Sequence, residues 1–346
     1  MTGLTTARPT GIYKKDIVIG KGLAILLVVM SHILTRETPT GNEWYINVKW
    51  SIDMINMPFF VFISGYLHFK PDRLERISKQ YASHIKDQST RLLLPFLVIG
   101  ITIVFGKTLM QYVMHVSNIP ATPLSGLINL IWHTKYSAAL FLWYVIAIFI
   151  YTTLSIPLFK LLKNKMFFWA VLALTLYTLP SIQYLYLDKL CMFFVFFCIG
   201  GLAIQNDEAY LTLLQKKLFI LTSLTLFSGI IALYNLEILN FKTSTLCAGL
   251  SGIPFMHFIA LKILQSGGKL YKTFHTLGMS AYSIYLLSMI CIGLTKGVLF
   301  KFTNWDYGNF YFIAPTVIAA GIIGPILIEW MILRRIPFIK EKILKN

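Results

Sequence analysis

The sequence predicts an all-α, polytopic integral membrane protein of about ten transmembrane helices, with both termini cytoplasmic. Three observations carry that prediction. Hydrophobic residues make up 56% of the chain and charged residues only 13%, with a mean hydropathy of +0.68, which excludes an ordinary soluble domain. Apolar stretches recur at about 16–35, 51–69, 91–115, 138–159, 166–186, 189–205, 217–235, 245–264, 277–299 and 310–333, each near the ~20 residues a bilayer requires. With the N-terminus inside, 23 of the 31 Lys and Arg residues fall on the cytoplasmic side, as the positive-inside rule demands.

That bias also settles what the net charge of +17 means. It is a topology signal, and nucleic acid is not an expected partner. The eight exceptions are Arg36, Lys49, Lys107, Lys135, Lys189, Lys242, Lys296 and Lys301, which lie outside or in an outer half. Residues 1–11 read as a flexible cytoplasmic N-terminus, 12–335 as the membrane domain and 336–346 as a cytoplasmic tail. No cleavage pattern follows the first span, so it reads as a retained helix in the cytoplasmic (inner) membrane. Cys191, Cys198, Cys247 and Cys291 all sit inside spans without metal-ligand spacing to His, so they read as small buried hydrophobes and no metal site is expected.

The first span holds the central feature. Lys21 and His32 are eleven residues apart, which returns nearly to the same azimuth at 100° per residue, so both lie on one helix face. The axial separation is about 16 Å. An ionisable pair inside such a segment is costly and marks a functional site. An outer loop from Arg36 to Lys49 leads to Asp53 and the second span, where Pro58 interrupts the backbone ladder and Ser64-Gly65 is a small pair suited to close helix packing.

The longest cytoplasmic segment, Lys70 to Thr90, is basic and ends in Arg91, where the third span enters the bilayer. Arg73, Arg76, Lys79 and Arg91 suit either anionic lipid or a phosphate-bearing substrate. Of these, Arg91 is placed to point inward, and the others resemble a solvated face. A second outer loop, Val116 to Ser137, precedes Trp143-Tyr144, a pair with the look of an interfacial aromatic belt. Phe197 to Gly201 reads as a packing seam, and His257 beside Pro254 as a hydrogen-bonded structural group. The ninth span carries a stripe of Ser280, Ser283 and Ser288. In the tenth, Glu329 precedes Arg334 by five residues, a spacing that fits a surface ion pair. There is no Walker loop, G-x-S-x-G elbow, H-E-x-x-H or dinucleotide fingerprint.

A buried imidazole, a cation on the same helix face and a basic cytoplasmic gate fit group transfer across or within the membrane. Histidine takes a proton from a weak nucleophile near neutral pH, and the cations suit a phosphorylated substrate entering from the cytoplasm. A transporter or flippase of a glycan precursor or small solute would use similar parts, and a glycan polymerase would call for larger outer loops.

In order along most of the chain stand Lys21 to His32 (K-G-L-A-I-L-L-V-V-M-S-H), Met57-Pro58-Phe59-Phe60, Ile63-Ser64-Gly65-Tyr66, Arg91-Leu92-Leu93-Leu94-Pro95-Phe96, Leu142-Trp143-Tyr144 and Ser283-Ile284-Tyr285-Leu286-Leu287. On these stretches the sequence resembles the acyltransferase-3 family of membrane O-acyltransferases, with the first block the most specific. The resemblance implies a ten-helix core, a cytoplasmic acyl-CoA donor (usually acetyl-CoA) and an acceptor hydroxyl on a surface carbohydrate or lipid-linked glycan. It maps the catalytic histidine to His32 and the donor-binding basic residues to Lys21 and Arg91. Arg73 and Arg76 join these as candidate donor contacts, and Asp53, Ser64 and Tyr144 are candidate supporting residues. The chain departs from the family pattern in four places. Lys21 stands where Arg is frequent, Val18 where an acid is frequent, Gln88 where a second Arg is frequent, and Ser288 where some members carry His.

Overall fold

The computed structural model describes residues 12–34, 40–161 and 166–344, and all regular structure among them is helical. Backbone in lipid must satisfy its own hydrogen bonds, which helices do internally. The chain opens with α1 (Ile12–Ser31) and α2 (Trp44–His68), followed by α3 (Pro71–Lys79) and α4 (Tyr81–Gln88). A π-helical turn, Ser89–Leu93, joins α4 to α5 (Leu94–Met110). Then come α6 (Pro123–Ile131), α7 (Trp143–Leu161), α8 (Met166–Thr178), α9 (Leu187–Gln205), α10 (Asp207–Gln215) and α11 (Lys217–Asn235). The last four are α12 (Phe241–Ser266), α13 (Gly268–Met279), α14 (Ala281–Leu299) and α15 (Tyr307–Met331).

Among the described residues, seven helices are long and apolar enough to cross a bilayer, or eight if α2 and α3, bent by 70° at their junction, form one span. The ten stretches expected from sequence are all helical, but two lack the length or the apolarity. One is α1, which carries Lys15, Asp16 and Lys21; the other is α8, which runs for 13 residues. Residues 1–11, expected to be a flexible terminus, lie outside the described residues. Of the expected tail, Ile339–Ile343 forms a turn that packs against Ser89–Leu93 and buries Ile343.

The second outer loop contains a helix that hydrophobic periodicity alone does not show. Thr122 caps α6: the Ser125 amide donates to Thr122 Oγ1 at 3.1 Å, and the Thr122 amide donates to Ser125 Oγ at 3.0 Å. With Pro123 at the first helical position, this is a complete N-terminal signal.

Helix α2 is the central post. It packs against α1, α9 and α12 and buries Phe59, Phe62, Ile63 and Tyr66. Its seam with α9 joins two small-residue motifs: a Cβ on Gly65 would collide with the Phe197 carbonyl, and one on Gly200 with the Phe62 carbonyl. The two backbones therefore touch, the arrangement small residues permit between membrane helices. Helix α1 lies against α2, α12 and α13, and it carries Lys21 midway along its length and His32 just past its C-terminal end.

Candidate active site

Helix α1 ends at Ser31, earlier than the expected span, so His32 begins the turn that follows rather than lying within a continuing helix. Its amide still donates to Val28 O at 3.2 Å, so the ring keeps a helical bearing. A helix end leaves carbonyls without partners. Here two neighbouring helices supply donors: Tyr45 of α2 bonds Met30 O at 2.9 Å, and Lys296 of α14 donates to Ile33 O. Asn56 Nδ2 also reaches Ser31 Oγ at 3.3 Å. The backbone on both sides of His32 is thus fastened from outside its own helix.

The imidazole itself is left available. His32 is half-buried and lines a cavity of about 500 Å³, and neither ring nitrogen bonds a described residue. Around it stand Thr102, Asn118, Phe141 and Trp143 and four lysines, Lys49, Lys107, Lys189 and Lys296. Asp53 and Lys49 are the charges that reach the ring. Asp53 does not bond it: its carboxylate accepts Lys49 Nζ at 2.6 Å and Asn56 Nδ2 at 3.4 Å.

Around the middle of α1 the structure gathers Lys21, Arg73 and Arg91. The π-helical turn carries Arg91, whose carbonyl accepts the Tyr282 hydroxyl at 2.5 Å, and such turns recur at functional sites. The charges of Arg91 and Arg73 reach Lys21, and those of Arg91 and Arg76 reach Arg73. Arg73 is half-buried, with Nη1 3.4 Å from Leu67 O, whereas Arg76 is exposed. Among the described residues no carboxylate pairs with Lys21, Arg73 or Arg91. Three mutually repelling cations without a counter-ion suit a polyphosphate.

None of these three cations lines the His32 cavity. A ladder of tyrosines stands between. The Arg91 charge reaches Tyr144 and Tyr282; Tyr144 and Ser64 share a hydrogen bond at 2.9 Å; and the Tyr144 and Tyr285 rings lie 5.3 Å apart. Tyr285 then donates to the carbonyl of Phe141, a cavity wall residue. The structure therefore corrects the aromatic-belt expectation. Trp143 is buried against Phe193 with ring centroids 4.6 Å apart, and Tyr144 turns into the bundle, because each finds a partner there that a headgroup would not supply. Ser64 has both expected aspects, since it flanks the Gly65 seam and bonds Tyr144.

Two further polar contacts lie apart from the cavity lining. His257 is buried between Tyr210, whose hydroxyl is 3.0 Å from Nδ1, and Asp16, whose Oδ2 is 3.6 Å from Nε2. Arg334 donates from Nε and Nη2 to Glu329 Oε1 at 2.9 and 2.6 Å. The four cysteines are free, and no metal-binding group occurs among the described residues. The sequence reading missed Lys107, Lys189, Lys296 and Tyr282 as site residues. For the lysines a signal existed: with the N-terminus taken as cytoplasmic, all three are among the eight basic residues left outside or in an outer half. For Tyr282 there was none.

Neither a curated protein nor a solved structure matches the chain. A sequence model of one family, described as an acyltransferase domain, matches residues 15–334, which takes in Lys21 and His32, the π-helical turn and every helix around the cavity. The chain belongs to the acyltransferase-3 family of membrane acyltransferases.

Proposed function

We propose that this acyltransferase moves an acyl group, acetyl in the simplest case, from acyl-CoA at the cytoplasmic face of the inner membrane to a hydroxyl of a cell-envelope glycan or its lipid-linked precursor. The observation that carries the reading is the division of α1: a half-buried imidazole just past its C-terminal end, lining a cavity and bonded to no described residue, and midway along it a cation cluster with no carboxylate partner among the described residues. Lys21, Arg91 and Arg73 would hold the donor's phosphates, with Arg76 a peripheral contact. The arm bearing the thioester would run beside Ser64 and Tyr144 over the ~16 Å of helix between Lys21 and His32.

Of the two histidines that line the cavity, His32 and His115, the family pattern assigns the role of base to His32. One ring nitrogen takes the proton of the acceptor hydroxyl while that oxygen attacks the thioester carbonyl. The tetrahedral intermediate collapses, the C–S bond breaks, and the imidazolium returns the proton to the departing CoA thiolate. An ester and free CoA result. Asp53 would act through Lys49 and the field at the ring, since it makes no bond to the imidazole.

The test is transfer of label from radiolabelled acetyl-CoA to envelope glycan in vesicles holding the purified protein. We expect label on the glycan with wild type and its loss in His32→Ala. Transfer that persists in His32→Ala overturns the mechanism. No transfer to any glycan, together with glycan movement across the vesicle, would establish a flippase instead.

A further inference from the structure

Helices α5 and α14 are neighbours, and together they form one side of the His32 cavity. Thr102, Gly106 and Met110 line it from the first, and Ile290, Gly293 and Leu294 from the second. These positions recur at helical spacing, so each set lies along one face of its helix. Both helices belong to segments long and apolar enough to cross a bilayer, Tyr81–Met110 and Ala281–Leu299. Gly293 lies about 9 Å inside the end of α14 at Leu299, so this side of the chamber stands at the depth of lipid.

The two glycines decide what kind of wall it is. A Cβ on Gly106 or on Gly293 would meet no atom within 4 Å, so no neighbour packs on either backbone there. At Gly65 and Gly200 small residues bring two helices into contact; here they leave a gap. One turn beyond Gly293 the gap closes, because a Cβ on Gly297 would collide with Met114 Sδ in the chain leaving α5. Helix α6 does not cover the opening. It packs on α5 at Gly100 and Val104, and Val104 is about 200° around the helix from Gly106. Next to the cavity stripe of α5 runs an exposed apolar stripe of Ile101, Phe105 and Leu109, and on α14 Leu294 is itself 45% exposed.

Resting on the acyltransfer reading above, we propose that the gap between α5 and α14 is a side window through which the acceptor enters from the bilayer, and that this acceptor is a lipid-linked glycan. Its lipid chain would stay in the window while a sugar hydroxyl reaches His32. A chamber of about 500 Å³ is the size of a small-molecule site, so a longer acceptor must extend out through an opening. The lining suits an amphiphile: Met110, Ile290 and Leu294 edge the window, whereas His32, Asn118 and Ser137 bring polar groups to the same chamber. An acceptor dissolved in water needs no opening at lipid depth. An opening there that admitted only hydrocarbon would leave those polar groups facing it, which is costly.

The glycines also supply the test, because a larger side chain there starts in open space. Gly106→Leu with Gly293→Leu narrows the window, and Gly106→Ala with Gly293→Ala controls for the change in helix propensity. Purified protein in phospholipid vesicles receives labelled acetyl-CoA and either a prenyl pyrophosphate disaccharide or the same disaccharide free in water. We expect wild type to acylate the lipid-linked disaccharide with a kcat/KM about tenfold or more above that of the free one, as burial of even a short apolar chain warrants. The double Leu variant should lose about tenfold or more on the lipid-linked acceptor alone, and the double Ala variant should keep its rate. Equal transfer to both acceptors in wild type, or equal losses on both in the double Leu variant, overturns the window and spares the acyltransferase reading.

Occupancy is read apart from chemistry by photo-cross-linking. The probe is the prenyl pyrophosphate disaccharide with a diazirine in its first isoprene units, and a diazirine phosphatidylethanolamine is the comparison. Label from the prenyl probe should concentrate on the peptides that hold Met110 and Leu294 and disappear from them in the double Leu variant. Label no denser there than that left by the phospholipid means that the gap holds bulk lipid, and overturns the proposal. Transfer to neither acceptor overturns the acyltransfer reading, and the cross-link then decides the window by itself.

Discussion

The middle of α1, at Lys21, and the turn after it, at His32, both gather cations, but for different physical reasons. Lys21, Arg73 and Arg91 sit among the basic residues that the positive-inside rule would assign to the cytoplasmic side, so a positive charge there says little by itself. What distinguishes them is what they lack. Arg334, expected on the same face, has its guanidinium on Glu329, whereas none of the three has a carboxylate partner among the described residues. At the His32 end the information runs the other way. A lysine there is already an exception to the rule, so its presence needs a local cause even where a carbonyl or an Asp accompanies it. A cation with the topological grain is judged by its partners, and one against the grain by its position.

The sharpest way to break the comparison is at His32. His32→Ala should lower transfer by roughly 10² to 10⁴-fold, the usual worth of a positioned general base, while donor binding midway along α1 stays intact. Equilibrium binding of a CoA analogue, measured beside single-turnover rates, checks both halves. Coupled losses of rate and donor affinity would mean that the two places are not separate sites. Arg91→Ala is the reciprocal change. It should raise the KM for acyl-CoA by about ten- to a hundredfold, the worth of a charge-assisted contact, and leave the acceptor's KM unchanged. A purely orienting arginine would instead alter membrane insertion, which protease protection of the loops reads directly.

How much of this was legible in advance follows the same division. Helices and packing seams were readable because they depend on composition along one segment: Ser64-Gly65 and Phe197–Gly201 each look like close-packing surfaces, and they pack on one another. The Glu329–Arg334 pair was readable because both partners lie within five residues. Lys21 and His32 were readable as one face for the same local reason. The cavity was not, because Lys49, Lys107, Lys189 and Lys296 are spread over some 250 residues and meet only through tertiary packing. Tyr144 was misjudged because an aromatic pair at a span's start looks the same whether it meets headgroups or another helix. The 70° bend between α2 and α3, which carries Arg73, and the π-helical turn that carries Arg91 have no period to betray them.

The distance between the two sites rests on the scaffold, and the α2–α9 seam tests it at smaller amplitude. Gly200→Leu places a side chain where the Phe62 carbonyl already lies, so α9 must retreat from α2. Overpacking of this kind costs about 1–3 kcal/mol. A lowered midpoint in detergent thermal unfolding is expected, together with a fall in rate as Ser64 and Tyr144 separate. If stability falls and the rate does not, the tyrosine ladder has no part in bridging the sites.

The smallest effect is expected at Arg76, and it decides whether the inner cluster is a seat or a diffuse field. Arg76 and Arg73 are neighbours on α3, three residues apart, so both contribute to the surface potential. Arg73 is half-buried and shares its surroundings with Arg91, while Arg76 is exposed to solvent screening. A discrete phosphate seat would therefore show Arg73→Ala raising the donor KM by about tenfold and Arg76→Ala by less than about twofold. Equal effects that vanish together at high salt would instead describe a basic surface that concentrates the donor without holding it, and the contrast between the two places on α1 would narrow to a matter of degree.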